Sequence, residues 1–322
     1  MTEFGDLEPW AQPAAEALAG YGLGPVEIRL LSVRENAVFL VTTAEGRQRV
    51  LRLCRPGYRT IEQVDSEMAW VNSLHEEDVV PVPATIPDRD GKLVHLFLNG
   101  NITQAAVLSE FIAGVPPEMG DTDRFRTLGR LSALLHNHAE SWARPAGWTR
   151  PAWNLDTAVG VHAAWGDWRQ STRLTRDTTA LFEAAERDVR TRLAGAEGAA
   201  LTTVLVHGDL HAGNLLVSDE TVYLLDFDDC GSSWPLWELA CSLVDGSSDP
   251  SLASQWLSGY LSMRDLTPAD LGSAGPLIML RILLIVGWLE THQHATPDGQ
   301  NEEAFDSLVA LTRRYLVDRF SL

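Results

Sequence analysis

The sequence predicts an α+β protein in two lobes, a small antiparallel-sheet lobe over residues 1–112 and a larger, mainly helical lobe over 113–322. Three observations predict it. The first third holds short β-rich runs broken by turn residues, "IAGVPP" at 112–117 reads as a Gly/Pro connection, and most later stretches carry helical periodicity. With 322 residues, 45% of them apolar, the chain is long enough to bury a sizeable core.

From residue 26, "VEIRLLSV", "AVFLVTT" and "RQRVLRLC" are separated by "REN" and by a turn around Gly46, which predicts an antiparallel meander. The next stretch, "TIEQVDSEMAWVNSLH" at 60–75, changes to helical period. Val64, Val71 and Leu74 share one face, and Glu67 lies on the same line. "KLVHLFLNGNITQAAVLSEF" then predicts two strands joined through Asn99-Gly100, residues that tolerate positive φ. Helices are expected at 121–142 and near 176–194, 249–262, 276–290 and 302–318, with 207–229 as the main β-like interruption. The apolar run "PLIMLRILLIVGWLE" at 276–290 is short for a bilayer span and contains Arg281, so a buried helix is expected.

The formal charge of -19, from 44 acids against 25 bases, argues against binding nucleic acid through its phosphates and against docking on anionic membrane. It favours a neutral or cationic partner. Lys92 is the only lysine, so any side-chain cation on a phosphate is expected to be arginine. Cys54, Cys230 and Cys241 are too few for a disulfide framework, and the opening "MTEFGDLEPW" has no basic-then-apolar leader; a cytoplasmic location is expected.

The densest polar cluster is "HGDLHAGN" at 207–214 followed by "LLDFDD" at 224–229. If 215–217 pairs with 223–225 across a turn at 218–221, Asn214 falls opposite Asp226 with Cβ atoms roughly 5 Å apart. An amide oxygen beside a carboxylate suits Mg²⁺, which takes a few protein oxygens and completes its shell with water and phosphate. Asp209, on the incoming loop, is placed to accept a proton from an attacking hydroxyl. A rival reading makes His207, Asp209 and His211 metal ligands on a strand. Gly208 and Gly213 favour a loop instead, and the rival gives Asn214 and Asp226 no role.

His207-x-Asp209-(x)4-Asn214 with Asp226-Phe227-Asp228 resembles the catalytic and metal-binding motifs of kinase-fold phosphotransferases, specifically the aminoglycoside phosphotransferase and choline kinase-like group. The resemblance implies a two-lobed protein-kinase-like fold and Mg²⁺-dependent transfer of the γ-phosphoryl group of ATP or GTP to a hydroxyl of an aminoglycoside-, choline- or homoserine-like acceptor. It implies that Asp209 is the catalytic base, that Asn214 and Asp226 are the Mg²⁺ ligands, and that His207 and Glu238, where many relatives have Asp, brace the catalytic loop. Asp228 stands where protein kinases have glycine; it is read either as touching a second metal or the substrate, or as a solvated turn acid.

Upstream, Arg52 occupies the strand position where most relatives carry lysine, with Glu67 as its expected partner on the following helix. Ser32 to Asn36 stands in place of the glycine-rich loop, without a glycine, and Glu110 to Ile112 resembles the purine-binding hinge. His136 and His138 are read as structural, and the aromatic stretch at 147–168 either as shaping the acceptor pocket, as an insertion does in relatives, or as ordinary packing of tryptophans between helices. Two alternatives remain. "ENAVFLV" and "RPGYRT" also resemble bacterial stress-response protein kinases, although no long activation segment is visible; a nucleotide-binding pseudokinase is the other, against which the intact Asp209, Asn214 and Asp226 argue.

Overall fold

The computed structural model describes residues 8–117, 122–194, 201–244, 250–292 and 300–320. The first seven residues and the expected helix starts at Asp121 and Asp249 lie outside the described residues. In chain order the elements are α1 Glu8–Ala19, β1 Val26–Val33, β2 Ala37–Thr43, β3 Gln48–Leu53, α2 Ile61–Glu76, β4 Thr85–Ile86, β5 His95–Asn99, β6 Ile102–Glu110, α3 Thr122–Ser141, α4 Leu155–Ala158, α5 Arg176–Ala194, β7 Val204–Val206, β8 Leu215–Ser218, β9 Thr221–Leu224, β10 Gly231–Ser233, α6 Trp237–Val244, α7 Pro250–Leu261, α8 Pro268–Gly272, α9 Ala274–Thr291 and α10 Gln300–Asp318. They form two compact units. One comprises Met1–Val115, Ala143–Arg150 and Leu216–Asp228; the other comprises Pro116–Trp142, Pro151–Leu215 and Asp229–Leu322.

The first unit is built on an antiparallel sheet in the order β1-β2-β3-β6-β4, with β5 also paired to β6. Alternate residues of the meander, Phe39, Val41, Leu51 and Leu53, point into a core shared with Ala106, Leu108 and the buried Ala14, Ala17 and Leu18 of α1. α1 is absent from the sequence reading, because Pro13 interrupts it and small residues carry its buried face. α2 begins with a capping box, Thr60 and Gln63 each bonding the other's backbone, and buries Val64, Glu67, Val71 and Leu74. Two turns differ from expectation. Asn99 pairs with Ile102, so the loop is Gly100-Asn101. The hairpin β8–β9 turns through only Asp219 and Glu220, both at positive φ (45° and 67°), a tighter reversal than 218–221 that shifts the register by one and removes the basis for placing Asn214 directly opposite Asp226. A backbone bridge between Val115 and Val217, at 3.0 and 2.8 Å, ties this hairpin to the end of the first segment.

The second unit is mainly helical. α3 and α7 cross at two glycines: a Cβ on Gly129 would lie 1.9 Å from the Trp256 carbonyl oxygen, and one on Gly259 equally close to that of Arg126. No other residue permits this approach. Among the described residues, α9 is the one helix long and apolar enough to cross a membrane, and most of it is buried in this unit. β7 pairs with β10 and leads into the segment 207–214.

Candidate active site

In the second unit the loop 207–214 is held from below by α6. Glu238 accepts the backbone N–H of His207 at 2.5 Å and that of Gly208 at 3.4 Å; Trp237 Nε1 donates to the Gly208 carbonyl at 3.1 Å, and Ser242 Oγ to that of Leu210 at 2.9 Å. Gly208 sits at φ 89°, and a Cβ there would meet the Asp229 carbonyl at 2.2 Å, so the loop path excludes any other residue. Complete burial pushes the Glu238 carboxyl up to about 7, against the two N–H groups that favour its charge. His207 is itself wholly buried.

The loop presents Asp209 with its carboxylate fixed on both oxygens. Arg281 Nη2 of α9 donates to Oδ1; Asn214 Nδ2 and His211 Nε2 each lie 3.3 Å from Oδ2. Burial alone would raise the Asp209 carboxyl, but the Arg281 guanidinium, followed by His211, overrides it and holds the group well below the usual carboxylate range. The guanidinium carbon of Arg281 lies 4.5 Å from the Trp165 ring centroid and 5.9 Å from that of Trp237. Asn214 Nδ2 also donates to the Asp209 carbonyl at 2.9 Å, which turns its amide nitrogen inward and assigns its oxygen to the other side. His211, left without a role by the sequence, accepts the Gly213 N–H on Nδ1 at 3.0 Å and caps the short turn that ends at Asn214.

The first unit carries a second polar set. Arg52 Nη2 lies 2.7 Å from Glu67 Oε1, and Arg150 Nη1 lies 3.8 Å from Glu67 Oε2. Burial opposes the Arg52 charge, but Glu67 outweighs it and the guanidinium is held more firmly protonated than usual. Asp226 sits at φ 63°, a left-handed conformation that costs most residues about 1 kcal/mol and that aspartate tolerates. Asp228 is 7% exposed; Asn36 Nδ2 donates to its Oδ2 at 2.7 Å. Ser32 is an exposed residue of β1, and the turn proper runs from Arg34 to Asn36. At the expected hinge, the Glu110 N–H is donated to Ala84 and the Ile112 carbonyl accepts Gly114, so these two backbone atoms are committed within the protein.

Several sequence expectations separate here. Asp209, Asn214, His207 and Glu238 come together in one unit; Arg52, Glu67, Asn36 and Asp228 form a network in the other, whose backbone also carries Asp226. The rival reading needs His207, Asp209 and His211 on a strand, but β7 ends at Val206, Gly208 takes φ 89° and a short helical turn follows at Ala212–Asn214, so the three do not alternate on a strand. His136 bonds the Tyr260 hydroxyl at 2.8 Å, and burial lowers it to about 3, so it is a neutral core histidine. Sequence reasoning missed Arg281 and Arg150. The first had a readable signal, since an arginine within an apolar helix requires an anionic partner; Arg150 had none, lying far in sequence from Glu67.

Comparison with known proteins identifies the family. The profile of the phosphotransferase enzyme family (APH) matches residues 27–272. Homoserine kinase of Pseudomonas aeruginosa is 29% identical over 287 residues, covering 84% of this chain and 83% of its own, and amicoumacin kinase of Bacillus subtilis is 24% identical, covering 94% and 90%. The solved structure of a microcompartment-associated aminopropanol kinase superposes with a TM-score of 0.85 at 30% identity, covering 97% of this chain and 99% of that one. With an antiparallel-sheet unit, a helical unit and the loop that fixes Asp209, the chain belongs to the phosphotransferase enzyme family and is a kinase that uses an alcohol group as acceptor.

Proposed function

We propose that the protein transfers the γ-phosphoryl group of ATP to the hydroxyl of a small amine-bearing alcohol in the cytoplasm. The observation that carries this reading is the fixed, ionised Asp209 on the loop "HGDLHAGN". In the proposed step the acceptor hydroxyl donates its hydrogen bond to Asp209, its oxygen forms a bond to the γ-phosphorus, and the bond from that phosphorus to the β–γ bridging oxygen breaks. The hydroxyl proton passes through Asp209 to solvent, and the products are a phosphate monoester and ADP. A carboxylate so strongly held in its charged form orients the hydroxyl from the outset and takes the proton only late, as expected when the acceptor bond forms late.

Asn214 and Asp226 offer the hard oxygen donors Mg²⁺ prefers, and the inward turn of the Asn214 amide nitrogen fits this use. When bound, the ion would neutralise charge on the nucleotide phosphates. Arg52, held by Glu67, is the residue we assign to the phosphates. For the acceptor, the reading draws on the homoserine and aminopropanol kinases among the relatives and on the formal charge of -19, which favours a protonated amine.

A nucleotide-consumption assay tests the reading, with aminopropanol, homoserine, choline, an aminoglycoside and casein as acceptors. Acceptor-dependent ADP release is expected with an amine-bearing alcohol. Release with none of the small molecules would overturn the acceptor class, and turnover with casein alone would transfer the reading to a protein acceptor.

A further inference from the structure

Two departures from the kinase pattern, a phosphate-covering turn without glycine and an aspartate at 228 in place of glycine, meet in one hydrogen bond. Asn36 Nδ2 donates to Asp228 Oδ2 at 2.7 Å, while Asn36 Oδ1 accepts the Arg55 N–H at 3.2 Å. Both ends of the amide are used, which fixes its orientation. The Asp228 backbone carbonyl is gripped in turn by Arg59 Nε at 2.9 Å and by Arg150 Nη2. None of Arg34, Glu35 and Asn36 adopts positive φ, so the turn is not shaped by glycine-like freedom.

We propose that Asn36 and Asp228 form a latch that sets the position of the 34–36 turn against the Asp226 loop, making Asp228 a positioning residue for the nucleotide and not a ligand of a second metal. The amide N–H takes one of the carboxylate's lone pairs and anchors the side chain on the turn, the arrangement of a positioning contact. A buried carboxylate requires such donors, and one from the turn couples the two segments directly. A glycine at 228 could not do this, and the turn would then have to rely on its own backbone. The inference rests on the reading that the first unit holds the nucleotide phosphates.

The test uses the full chain and four proteins besides wild type: Asn36→Ala, Asp228→Ala, the double alanine variant, and the exchanged pair Asn36→Asp/Asp228→Asn. ATP affinity, acceptor KM, the Mg²⁺ concentration for half-activation and Tm are measured for each. Each alanine variant is expected to weaken ATP binding about tenfold, the fold-change that accompanies loss of one hydrogen bond to a charged group. Acceptor KM and the Mg²⁺ midpoint should stay at wild-type values, and the double variant should be no weaker than the poorer single. The exchanged pair should recover most of the affinity, because an amide at position 228 can donate to a carboxylate at position 36. A shifted Mg²⁺ midpoint in Asp228→Ala with unchanged ATP affinity in Asn36→Ala would overturn the latch and make Asp228 a metal ligand. Additive losses, or no recovery in the exchanged pair, would also overturn it. Wild-type protein that binds no ATP would overturn the underlying reading first, and is seen before any variant is compared.

Discussion

Asp209 and Arg281 show how one residue depends on another far along the chain. The aspartate is the proposed proton acceptor, yet it is also half of a largely buried ion pair whose cation sits within the buried apolar stretch of α9. Removing one partner of such a pair leaves the other charge uncompensated, which typically costs about 3 to 5 kcal/mol. Arg281→Met is therefore expected to lower Tm and to reduce kcat, because the carboxylate loses the contact that orients it. Asp209→Asn should abolish most turnover, on the order of 10² to 10⁴ for loss of a general base, while ATP affinity stays near wild type. Arg281→Lys keeps the charge without the planar fork and should fall between. If Arg281→Met matches wild type in kcat, the guanidinium does not position the base. Glu238 adds a pH test. Its folded value of about 7 lies above the ordinary carboxylate value, so the folded protein binds more protons than the unfolded chain between about pH 4.5 and 7 and loses stability as pH rises through that window. Glu238→Gln should flatten this slope in a Tm-against-pH series; an unchanged slope would place the titrating group elsewhere.

At the scale of elements, β3 and α2 illustrate how far the sequence could be read. Period-two and period-3.6 patterns exposed the meander, the helix and the inward face that carries Glu67, since each follows from local geometry, whereas Arg52 as its partner came from the family resemblance. The polar loop 207–214 was legible as a cluster because its residues are contiguous. What stayed hidden depends on contacts remote in sequence or on turns whose φ values no side chain announces. Arg150 reaches Glu67 from 83 positions away, and the Asp219-Glu220 turn adopts positive φ without a glycine. The hidden contact changes a prediction. Glu67 has two guanidinium neighbours, so Arg52→Ala does not leave it without a cation, and the stability loss should be smaller than the full cost of a broken buried pair. Glu67→Gln removes the anion from both arginines and should lower Tm more. ATP affinity should nonetheless fall in Arg52→Ala, where the proposed phosphate contact is lost. A Tm for Arg52→Ala below that of Glu67→Gln would mean that Arg150 gives Glu67 no support.

For the whole molecule, the decisive feature is that the first unit is assembled from three separate stretches of chain. The 1–115 segment contains the entire six-stranded sheet, so by strand content alone a cut after it releases a domain. Four residues of the returning segments argue otherwise. The wholly buried Arg150 side chain bonds the Gln63 carbonyl at 2.8 Å and faces Glu67; Phe227 packs edge-on against Trp70 with ring centroids 5.5 Å apart; and Leu224 N–H donates to Pro81 while Val217 bridges Val115. A 1–115 fragment would leave Glu67 with one cation, expose one face of the wholly buried Trp70, and lose the backbone partners of Pro81 and Val115. With folded domains stable by only about 5 to 15 kcal/mol, losing these together should remove most of the margin. The fragment is expected to show no cooperative thermal transition by circular dichroism and no ATP binding, whereas the full chain melts cooperatively. A fragment of residues 1–115 that melts sharply and binds ATP would show that the returning segments 143–150 and 216–228 are accessories to a unit already complete.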